Sequence, residues 1–335
     1  MAHNEDSLSP NAGPGRFLRR TIRQFEYTVL HHLPNAEDAN VWMGGDGFLF
    51  EKAYVDAYNQ DGRRPASELH SVSASTRRLQ DRLAADGIAF LLVIAPSKAE
   101  IYPEHLPAEA DVRGRPERCS NYQNLLAHLH RDGVNLIDAH ALFHQWKQAS
   151  GTPLLFAKGG THWNAYGSAL VIERITEQLR ALSGKDLPSM RVVGSTSRRQ
   201  LSDPDNDLGD LAQLWTSRPL FDPQIHPVVE TRIGKDPFDL LLIGDSFVFP
   251  LIRHMNREGI CRRLDIYYYY NRHLAYPKGM DVLLDKRNLD LLMELQGRTA
   301  AIIVVNEQLL PHIGFGFVRD ALRAYDARDS VPAQP

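Results

Sequence analysis

The sequence contains very little cysteine, and its cysteines form no motif. Cys119 and Cys261 are the only two among 335 residues, and they lie far apart in the chain. Common zinc sites need cysteine or histidine ligands at short, regular spacings. The pattern therefore excludes zinc sites of the usual kinds, and the two cysteines are either free thiols or one disulfide.

Long apolar runs and a strong excess of charge are also absent. No stretch reaches the ~20 apolar residues that a helix needs to cross a bilayer, and the start MAHNEDSLSPNAGPG lacks the apolar core of a signal peptide. The formal net charge is −3, with 43% hydrophobic and 24% charged residues. Basic residues cluster in segments 15–25 and 259–273, which we interpret as solvated surface. We therefore expect a soluble globular protein without a leader, and not one that neutralises a nucleic-acid backbone.

Short apolar runs alternate with helical patterns along most of the chain. Continuous rather than alternating apolarity indicates strands that are buried on both faces, as in a parallel sheet covered by helices. With helical patterns between the runs, we predict a doubly wound α/β fold. The predicted strands lie in residues 88–96, 133–139, 238–247, 264–270 and 299–307.

The pattern predicts one main domain. Residues 1–37 are expected to form a disordered lead-in and an amphipathic helix over 16–33, which packs on the body of the protein or, less in keeping with its composition, lies on a membrane or a partner. A catalytic domain is predicted over 38–326, with an irregular insertion around 184–236 that is rich in Asp, Pro, Ser and Arg. The tail 327–335 is expected to be disordered.

The segment LLLIGDSFVFPLIRHMN, residues 240–256, carries the clearest signal for chemistry. An apolar strand runs into Gly244, Asp245 and Ser246, and a helical pattern follows at once. Ligands bind at the carboxyl ends of parallel strands, and a helix N-terminus favours developing negative charge. Ser246 is therefore a candidate nucleophile. The alternative is that Ser246 only caps the helix while Asp245 forms the turn.

Serine is a weak nucleophile until a base takes its proton. The best placed of the 14 histidines is His162, which follows the flexible stretch KGG at 158–160 and precedes a helical pattern. If His162 and Ser246 end elements at the same sheet edge, they can meet as general base and nucleophile.

Several segments, taken in order, resemble the SGNH-fold polysaccharide O-acetyltransferases of the alginate O-acetyltransferase group. The resemblance implies an SGNH-hydrolase-like, flavodoxin-like parallel sheet with helices on both faces. It also implies a permuted order, in which the His motif precedes the Ser motif. The matching segments are VWMGGDGFLF (41–50), LLVIAPSKAEIYPEHLP (91–107), GVNLIDAHALF (133–143), THWNAYGSAL (161–170), DLGDLAQLW (207–215) and LLLIGDSF (240–247).

The resemblance implies that Ser246 is the nucleophile and His162 the base. The family usually has an aspartate two residues before this histidine, where the present chain has Gly160. Either another carboxylate orients the imidazole, or a backbone carbonyl does so and leaves a Ser–His dyad, or the chain is a weakened or inactive relative. We favour a working enzyme. The candidate carboxylates are Asp245, Asp138, Asp210 and Glu307.

Five further positions are candidates for substrate binding. Each has a structural alternative: a packed core tryptophan, a residue that begins a helix, a charge or ring near a strand end, or a solvated helix face. The tyrosine run Tyr267–Tyr270 is interpreted as a buried strand rather than as a platform for sugars, because strand side chains alternate between faces. The five candidates are Trp163, Asn164, Lys98, Tyr102 and Arg253.

The resemblance implies acetyl transfer through a seryl ester to hydroxyl groups of an exported polysaccharide, with no cofactor. It further implies that a membrane-bound O-acyltransferase relays the acetyl donor, and that this protein is periplasmic or membrane-associated on the outer side. The absence of a visible leader argues against that location and leaves the cytoplasm as the alternative. The alternatives for function are a carbohydrate acetyl-esterase and an inactive carbohydrate-binding component of a secretion complex.

Overall fold

A computed structural model describes residues 14–29, 40–59, 63–107, 110, 120–198, 205–215 and 224–330. The helices are α1 Pro14–Val29, α2 Lys52–Tyr58, α3 Ala66–Ala85, α4 Lys98–Ile101, α5 Asn121–Arg131, α6 Ala139–Gln148, α7 Ala165–Ser183, α8 Asp207–Leu211, α9 Val248–Arg257, α10 Leu291–Leu295 and α11 Phe317–Ser330. The strands are β1 Val41–Met43, β2 Leu49–Glu51, β3 Ala89–Ala95, β4 Leu136–Asp138, β5 Ser189–Arg198, β6 Gln224–Arg232, β7 Asp239–Gly244, β8 Arg263–Tyr268, β9 Arg272–Tyr276, β10 Met280–Leu283 and β11 Ala300–Asn306.

A seven-stranded sheet with the order β10-β9-β8-β7-β11-β3-β4 forms the centre of the molecule. The strands β8, β7, β11, β3 and β4 are parallel, whereas β9 and β10 add an antiparallel edge. Every strand predicted from continuous apolarity is present in the parallel part. The chain continues outward from β3 to β4 and, on the other side, from β7 to β8. The carboxyl ends of the strands between these branches are therefore the expected place for a site.

Alternate side chains of each central strand enter two different apolar layers. In β3, Leu91 and Val93 pack in the layer that contains α6, α7 and α9, whereas Leu92 and Ile94 pack in the layer that contains α3, α5 and α11. Because both faces are covered, no position of the strand is free to be polar. This arrangement confirms the predicted helices on both faces of the sheet.

Three predicted segments differ from the structure. The segment around 184–236, expected to be irregular, contains the antiparallel hairpin β5–β6 and the short helix α8. Its strands were missed because the hairpin is partly exposed and its residues are mostly polar. Helix α11 continues to Ser330, past the predicted boundary at 326. The run Tyr267–Tyr270 is a strand only as far as Tyr268, and the two residues that follow form a turn.

Helix α1 packs on the body of the protein through the face that the sequence predicted to be outside. Arg20 is buried, and its guanidinium donates to the carbonyl of Leu214 at 2.6 Å. Arg23 donates to another carbonyl of the same segment. The apolar residues Phe17, Leu18, Ile22, Phe25 and Val29 are exposed instead. Among the described residues, no helix has the length and apolar character needed to cross a membrane.

Cys261 is a free thiol, whereas Cys119 lies outside the described residues. The described residues contain no group of three or more His, Cys, Asp or Glu side chains arranged to hold a metal ion.

Candidate active site

Ser246 lies in the turn between β7 and α9, at the carboxyl edge of the sheet. The strand ends at Gly244, where a Cβ atom would lie 2.5 Å from Val248 Cγ1 and 2.7 Å from the carbonyl oxygen of Val304. Only glycine therefore lets the first turn of α9 approach the strand so closely. This approach places the Ser246 hydroxyl beside the N-terminus of a ten-residue helix.

Asp245 fixes this turn through two backbone amides. Its Oδ1 accepts a hydrogen bond from the N–H of Phe247 at 2.9 Å, and its Oδ2 accepts one from the N–H of Asn306 at 2.6 Å. Burial raises the pKa of Asp245 to about 6, against the opposing effect of these hydrogen bonds. Both carboxylate oxygens are committed to the backbone, so the prediction that Asp245 orients the imidazole is wrong.

His162 is held in place by its neighbours at the start of α7. The side chain of Asn164 caps this helix by accepting from the N–H of Gly167 at 2.9 Å. Trp163 is fully buried, and its indole N–H donates to the carbonyl of Phe247 at 3.2 Å. Both side chains are buried, and their hydrogen bonds hold the backbone on either side of His162.

The two residues that the sequence predicted to meet are in contact. His162 Nε2 and Ser246 Oγ are 2.7 Å apart, which is a hydrogen-bonding distance. The imidazole ring also meets the ring of Phe247 edge-on, with 5.0 Å between the centroids. A base and a hydroxyl at this distance can exchange a proton without any movement of the backbone.

Asp207, the first residue of α8, faces the other nitrogen of the imidazole. Its Oδ2 lies 3.1 Å from His162 Nδ1, while its Oδ1 accepts from the N–H groups of Thr161 at 2.8 Å and Leu208 at 3.0 Å. The approach to Nδ1 is too oblique for an aligned hydrogen bond. Hydrogen bonds of this kind are often long or poorly aligned in a free enzyme and align when substrate binds. The backbone N–H of Leu208 also donates to Gly159, which docks α8 against the loop that carries His162.

Asp207 was missed by the sequence prediction, although it begins the matched segment DLGDLAQLW. Asp210 of that segment was chosen instead, and it pairs with Arg20 at 3.1 Å. Asp138 caps helix α6 with its side chain, which accepts from the N–H of Ala141 at 3.1 Å, and Glu307 contacts His140 at 2.6 Å. Asp138, Asp210 and Glu307 thus have other partners, and the structure does not bring them to the imidazole of His162. An aspartate at a helix start after an irregular segment was the only local signal for the correct residue.

Lys98 supports the loop that precedes His162. It is 3% exposed, and its ammonium donates to the carbonyls of Ala157 at 3.1 Å, Lys158 at 2.8 Å and Gly160 at 2.5 Å. Burial lowers the pKa of Lys98 to about 7. Because three carbonyls use its three donors, Lys98 positions the backbone next to the base and offers no donor to a substrate.

The remaining two candidates for substrate binding are Tyr102 and Arg253. Tyr102 is buried, and its hydroxyl accepts from the N–H of Leu155 at 2.9 Å. Burial raises the pKa of Tyr102 to about 12, so the phenol stays neutral. Arg253 lies on the exposed side of α9. Tyr102 therefore supports the core, and Arg253 stays a predicted residue of the site.

Glu51 is a second acidic residue near the imidazole that the sequence did not reveal. Its Oε2 accepts from the hydroxyl of Thr161 at 3.3 Å. Burial raises the pKa of Glu51, the charge of Asp207 raises it further, and the nearby His162 lowers it. Two carboxyl groups, those of Asp207 and Glu51, therefore lie near the imidazole of His162.

Comparison with known proteins agrees with the geometry. Residues 41–248 match a family model described as the SGNH hydrolase-like domain of the acetyltransferase AlgX. The chain belongs to the AlgX-type SGNH hydrolase-like family. The match covers more than half of the chain and includes His162, Asp207 and Ser246. The fold class and the family that the sequence resemblance predicted are confirmed.

Two curated relatives of this AlgX-type domain are described as probable alginate O-acetylases AlgJ. The protein from Pseudomonas aeruginosa is 28% identical over 200 residues, which are 59% of this chain and 45% of that protein. The one from Pseudomonas fluorescens is 25% identical over 224 residues, 64% of this chain and 52% of that protein. The chain thus spans about half the length of the curated relatives it matches.

Solved structures similar to this AlgX-type domain include the O-acetyltransferase domain of Pseudomonas putida AlgJ. It has a TM-score of 0.49 and 18% sequence identity, with 81% of this chain and 92% of that chain covered. Pseudomonas aeruginosa AlgX has a TM-score of 0.48 and 16% identity, with 84% and 67% covered.

Proposed function

We propose that the protein is an O-acetyltransferase that moves acetyl groups onto hydroxyl groups of an exported polysaccharide through an ester on Ser246. The observation that carries the proposal is the series of contacts from Asp207 to His162 to Ser246, at 3.1 and 2.7 Å. A carboxylate, an imidazole and a hydroxyl in this order are the groups that acyl transfer by a serine nucleophile requires.

In the first half-reaction, Ser246 Oγ attacks the carbonyl carbon of the acetyl donor while His162 Nε2 takes the hydroxyl proton. Asp207 stabilises the imidazolium that forms, because its carboxylate lies beside Nδ1. The backbone N–H of Ser246, at the start of α9, is placed to donate to the oxyanion of the tetrahedral intermediate. The intermediate then breaks its bond to the donor group, which leaves with the proton from His162.

In the second half-reaction, a sugar hydroxyl loses its proton to His162 Nε2 and attacks the carbonyl carbon of the seryl ester. The bond between that carbon and Ser246 Oγ breaks, and Oγ recovers a proton from the imidazolium. The acetyl group is now on the sugar, and the enzyme has its starting protonation state. One base serves both halves because the same nitrogen faces the nucleophile throughout.

The polysaccharide acceptor is supported by the two curated relatives, which are named as probable alginate O-acetylases. As part of the same proposal, a membrane-bound O-acyltransferase relays the acetyl donor, and the reaction takes place on the outer side of the membrane. The acetyl group would then be transferred from the membrane partner to Ser246 and from Ser246 to the polysaccharide.

The presence of a carboxylate beside the imidazole argues against one alternative, an inactive carbohydrate-binding protein. That alternative arises from the glycine at position 160, where the family usually has an aspartate. Asp207 contacts the imidazole from a different part of the chain, so an active enzyme is the better account. An acetyl-esterase would use the same seryl ester with water as the acceptor.

The experiment that tests the proposal follows p-nitrophenyl acetate cleavage with and without an acetyl-free oligosaccharide of alginate. We expect a burst of p-nitrophenol, a mass increase of one acetyl group on Ser246, and acetylated sugar accumulating faster than free acetate. Free acetate alone, at a rate that the oligosaccharide does not change, would identify an esterase.

Two variants complete this experiment. Ser246→Ala should form no acetyl-enzyme, because the attacking oxygen is gone. Ser97→Ala is the matched control, since Ser97 also follows a strand of the sheet, is buried and caps a short helix by accepting from Glu100. It should lose only the ~1 kcal/mol of a helix cap and keep its burst. A burst that survives Ser246→Ala would contradict the proposal.

A further inference from the structure

The short helix α8, which carries the carboxylate beside the imidazole, ends in a compact hydrogen-bonded motif. Gln213 has a φ of 58°. Its N–H donates to the carbonyl of Asp210 at 3.0 Å, and the N–H of Leu214 donates to that of Gly209 at 2.8 Å. This pair of bonds around a left-handed residue is a Schellman motif. The bonds join the helix and its end into one unit, residues 207–214, which we call the α8 unit.

Contacts from elsewhere in the chain must hold the α8 unit in place. Helix α8 has only five residues, and a helix this short is not stable alone. Its N-terminal end is tied to the loop that carries the base. The N–H of Thr161 donates to Asp207 Oδ1 at 2.8 Å, and the N–H of Leu208 donates to the carbonyl of Gly159 at 3.0 Å. Its C-terminal end is tied to helix α1.

Two arginines of α1 hold that C-terminal end. The guanidinium of Arg20 donates to the carbonyl of Leu214 at 2.6 Å, and the guanidinium of Arg23 donates to the carbonyl of Ala212 at 3.0 Å. The Schellman motif uses the carbonyls of earlier residues, so the arginines provide partners for carbonyls that the motif does not use. Basic side chains near a helix C-terminus commonly bind its last carbonyls in this way.

Arg20 is the more deeply buried of the two arginines. It is 8% exposed, and its guanidinium carbon lies 4.8 Å from the centroid of the Trp215 ring. It also meets Asp210 at 3.1 Å, but the side chain of Asp210 is 54% exposed, so this ion pair contributes little. Burying a guanidinium costs free energy unless its donors are used, and the carbonyl of Leu214 uses one of them. This contact explains why α1 packs on the body of the protein through its polar face.

A small apolar cluster packs between α1 and the α8 unit. It includes Tyr27 from α1, Leu208 and Leu214 from the α8 unit, and Val41 and Leu49 from β1 and β2, each at most 5% exposed. These residues belong to neither of the two apolar layers of the central sheet. The position of the α8 unit is therefore set by this cluster and by the two arginines rather than by the core of the sheet.

We propose that Arg20 is a positioning residue for the acyl transfer: by holding the α8 unit, it keeps Asp207 Oδ2 beside His162 Nδ1 at 3.1 Å. This proposal rests on the proposed function. Among the described residues, Arg20 contacts the α8 unit and not the nucleophile or the base, so it acts through the carboxylate of Asp207. The approach of that carboxylate to Nδ1 is oblique in the free enzyme, and a small displacement of the α8 unit would therefore separate the two groups.

The test compares Arg20→Met with Arg19→Met, a matched control because Arg19 is exposed on the same helix. Arg20→Met keeps a long apolar side chain and removes every donor. Stopped-flow cleavage of p-nitrophenyl acetate should show a burst rate about tenfold lower, because a displaced carboxylate stabilises the imidazolium less well, with KM unchanged. Arg20→Lys can still donate to the carbonyl of Leu214 and should recover most of the loss. Arg19→Met should keep the wild-type burst.

A double-mutant cycle with Asp207→Asn separates positioning from a general structural defect. In the Asp207→Asn protein, Arg20→Met should lower the burst rate by no more than about twofold, since the charge that Arg20 positions is already gone. A structural defect would lower the rate by the same factor in both backgrounds. Arg23→Met is a second variant that keeps the buried contact of Arg20, and its smaller loss should likewise disappear in the Asp207→Asn protein.

Wild-type burst rates in Arg20→Met, or equal losses in the two backgrounds, would overturn the proposal. If Arg20→Met does not fold, a loss in Arg23→Met that persists in the Asp207→Asn protein would do the same. A wild-type burst in Asp207→Asn would also overturn it, because Arg20 would then have no functional carboxylate to position. A wild-type protein that forms no acetyl ester on Ser246 would refute the proposed function itself, whereas one that forms this ester with Arg20→Met unaffected would refute only the role of Arg20.

Discussion

Replacing Asp207 with asparagine removes the charge beside the imidazole and leaves the size of the side chain almost unchanged. Oδ2 lies 3.1 Å from His162 Nδ1, and the two side chains are 24% and 15% exposed. At this distance and an effective dielectric constant of about 20, two unit charges attract by about 5 kcal/mol. This energy acts fully only on the completed imidazolium.

The expected loss in rate is smaller than that energy. In the transition state the proton is only partly transferred, and Glu51 supplies a second carboxyl group near the imidazole. If about half of the attraction acts in the transition state, Asp207→Asn loses ~3 kcal/mol, which is a decrease of roughly a hundredfold in the acylation rate. The amide oxygen can still accept from the N–H of Thr161, so we expect little change in melting temperature.

The measurement is the single-turnover burst of p-nitrophenol from p-nitrophenyl acetate. Asp210→Asn is the matched control, because Asp210 lies in the same short helix and pairs with Arg20 instead of the imidazole. It should acylate at the wild-type rate. A wild-type burst in Asp207→Asn, or an equal loss in both variants, would refute the role of Asp207 as the orienting acid.

Three further predictions concern the supports of the site. Lys98→Met removes the three donors to the loop before His162, so both the melting temperature and the burst rate should fall; an unchanged burst would contradict this positioning role. Gly244→Ala should lose about 2 kcal/mol in urea unfolding because its Cβ would collide with side-chain and backbone atoms, whereas Gly194→Ala, with open space around it, should not. Because burial raises the pKa of Asp245 to about 6, the folded state binds more protons than the unfolded state between about pH 4 and pH 6. The contribution of Asp245 to the free energy of unfolding should therefore decrease by up to about 3 kcal/mol as the pH rises through this range. Urea titrations should show the free energy of unfolding of the wild type falling by this amount relative to that of Asp245→Asn. A difference between the two proteins that stays constant with pH would contradict this prediction.

The five parallel strands were predictable because a strand that is buried on both faces has a continuous apolar run in its sequence. Leu91 and Leu92 enter opposite apolar layers, so the strand has no polar position and reads as a continuous apolar run. No continuous apolar run marks β9, β10 or the hairpin β5–β6, since each has positions that are exposed or only partly buried. Their pairing depends on partners elsewhere in the chain.

The burial of three candidates for substrate binding was not predictable for a related reason. Trp163, Asn164 and Lys98 were named as substrate contacts because they lie in matched motifs near the base. A motif records which residues accompany a function, but it does not record the direction in which their side chains point. The structure turns all three toward the interior, where they hold the backbone around His162.

The sequence by itself determined the strand-to-helix turn with Ser246 and the helix start with His162, because both depend on backbone patterns a few residues long. Only the tertiary structure decided which carboxylate lies beside the imidazole. Asp207 contacts His162 because α8 docks on the loop before it. Contacts between distant segments follow from packing, for which a single sequence contains no spacing rule.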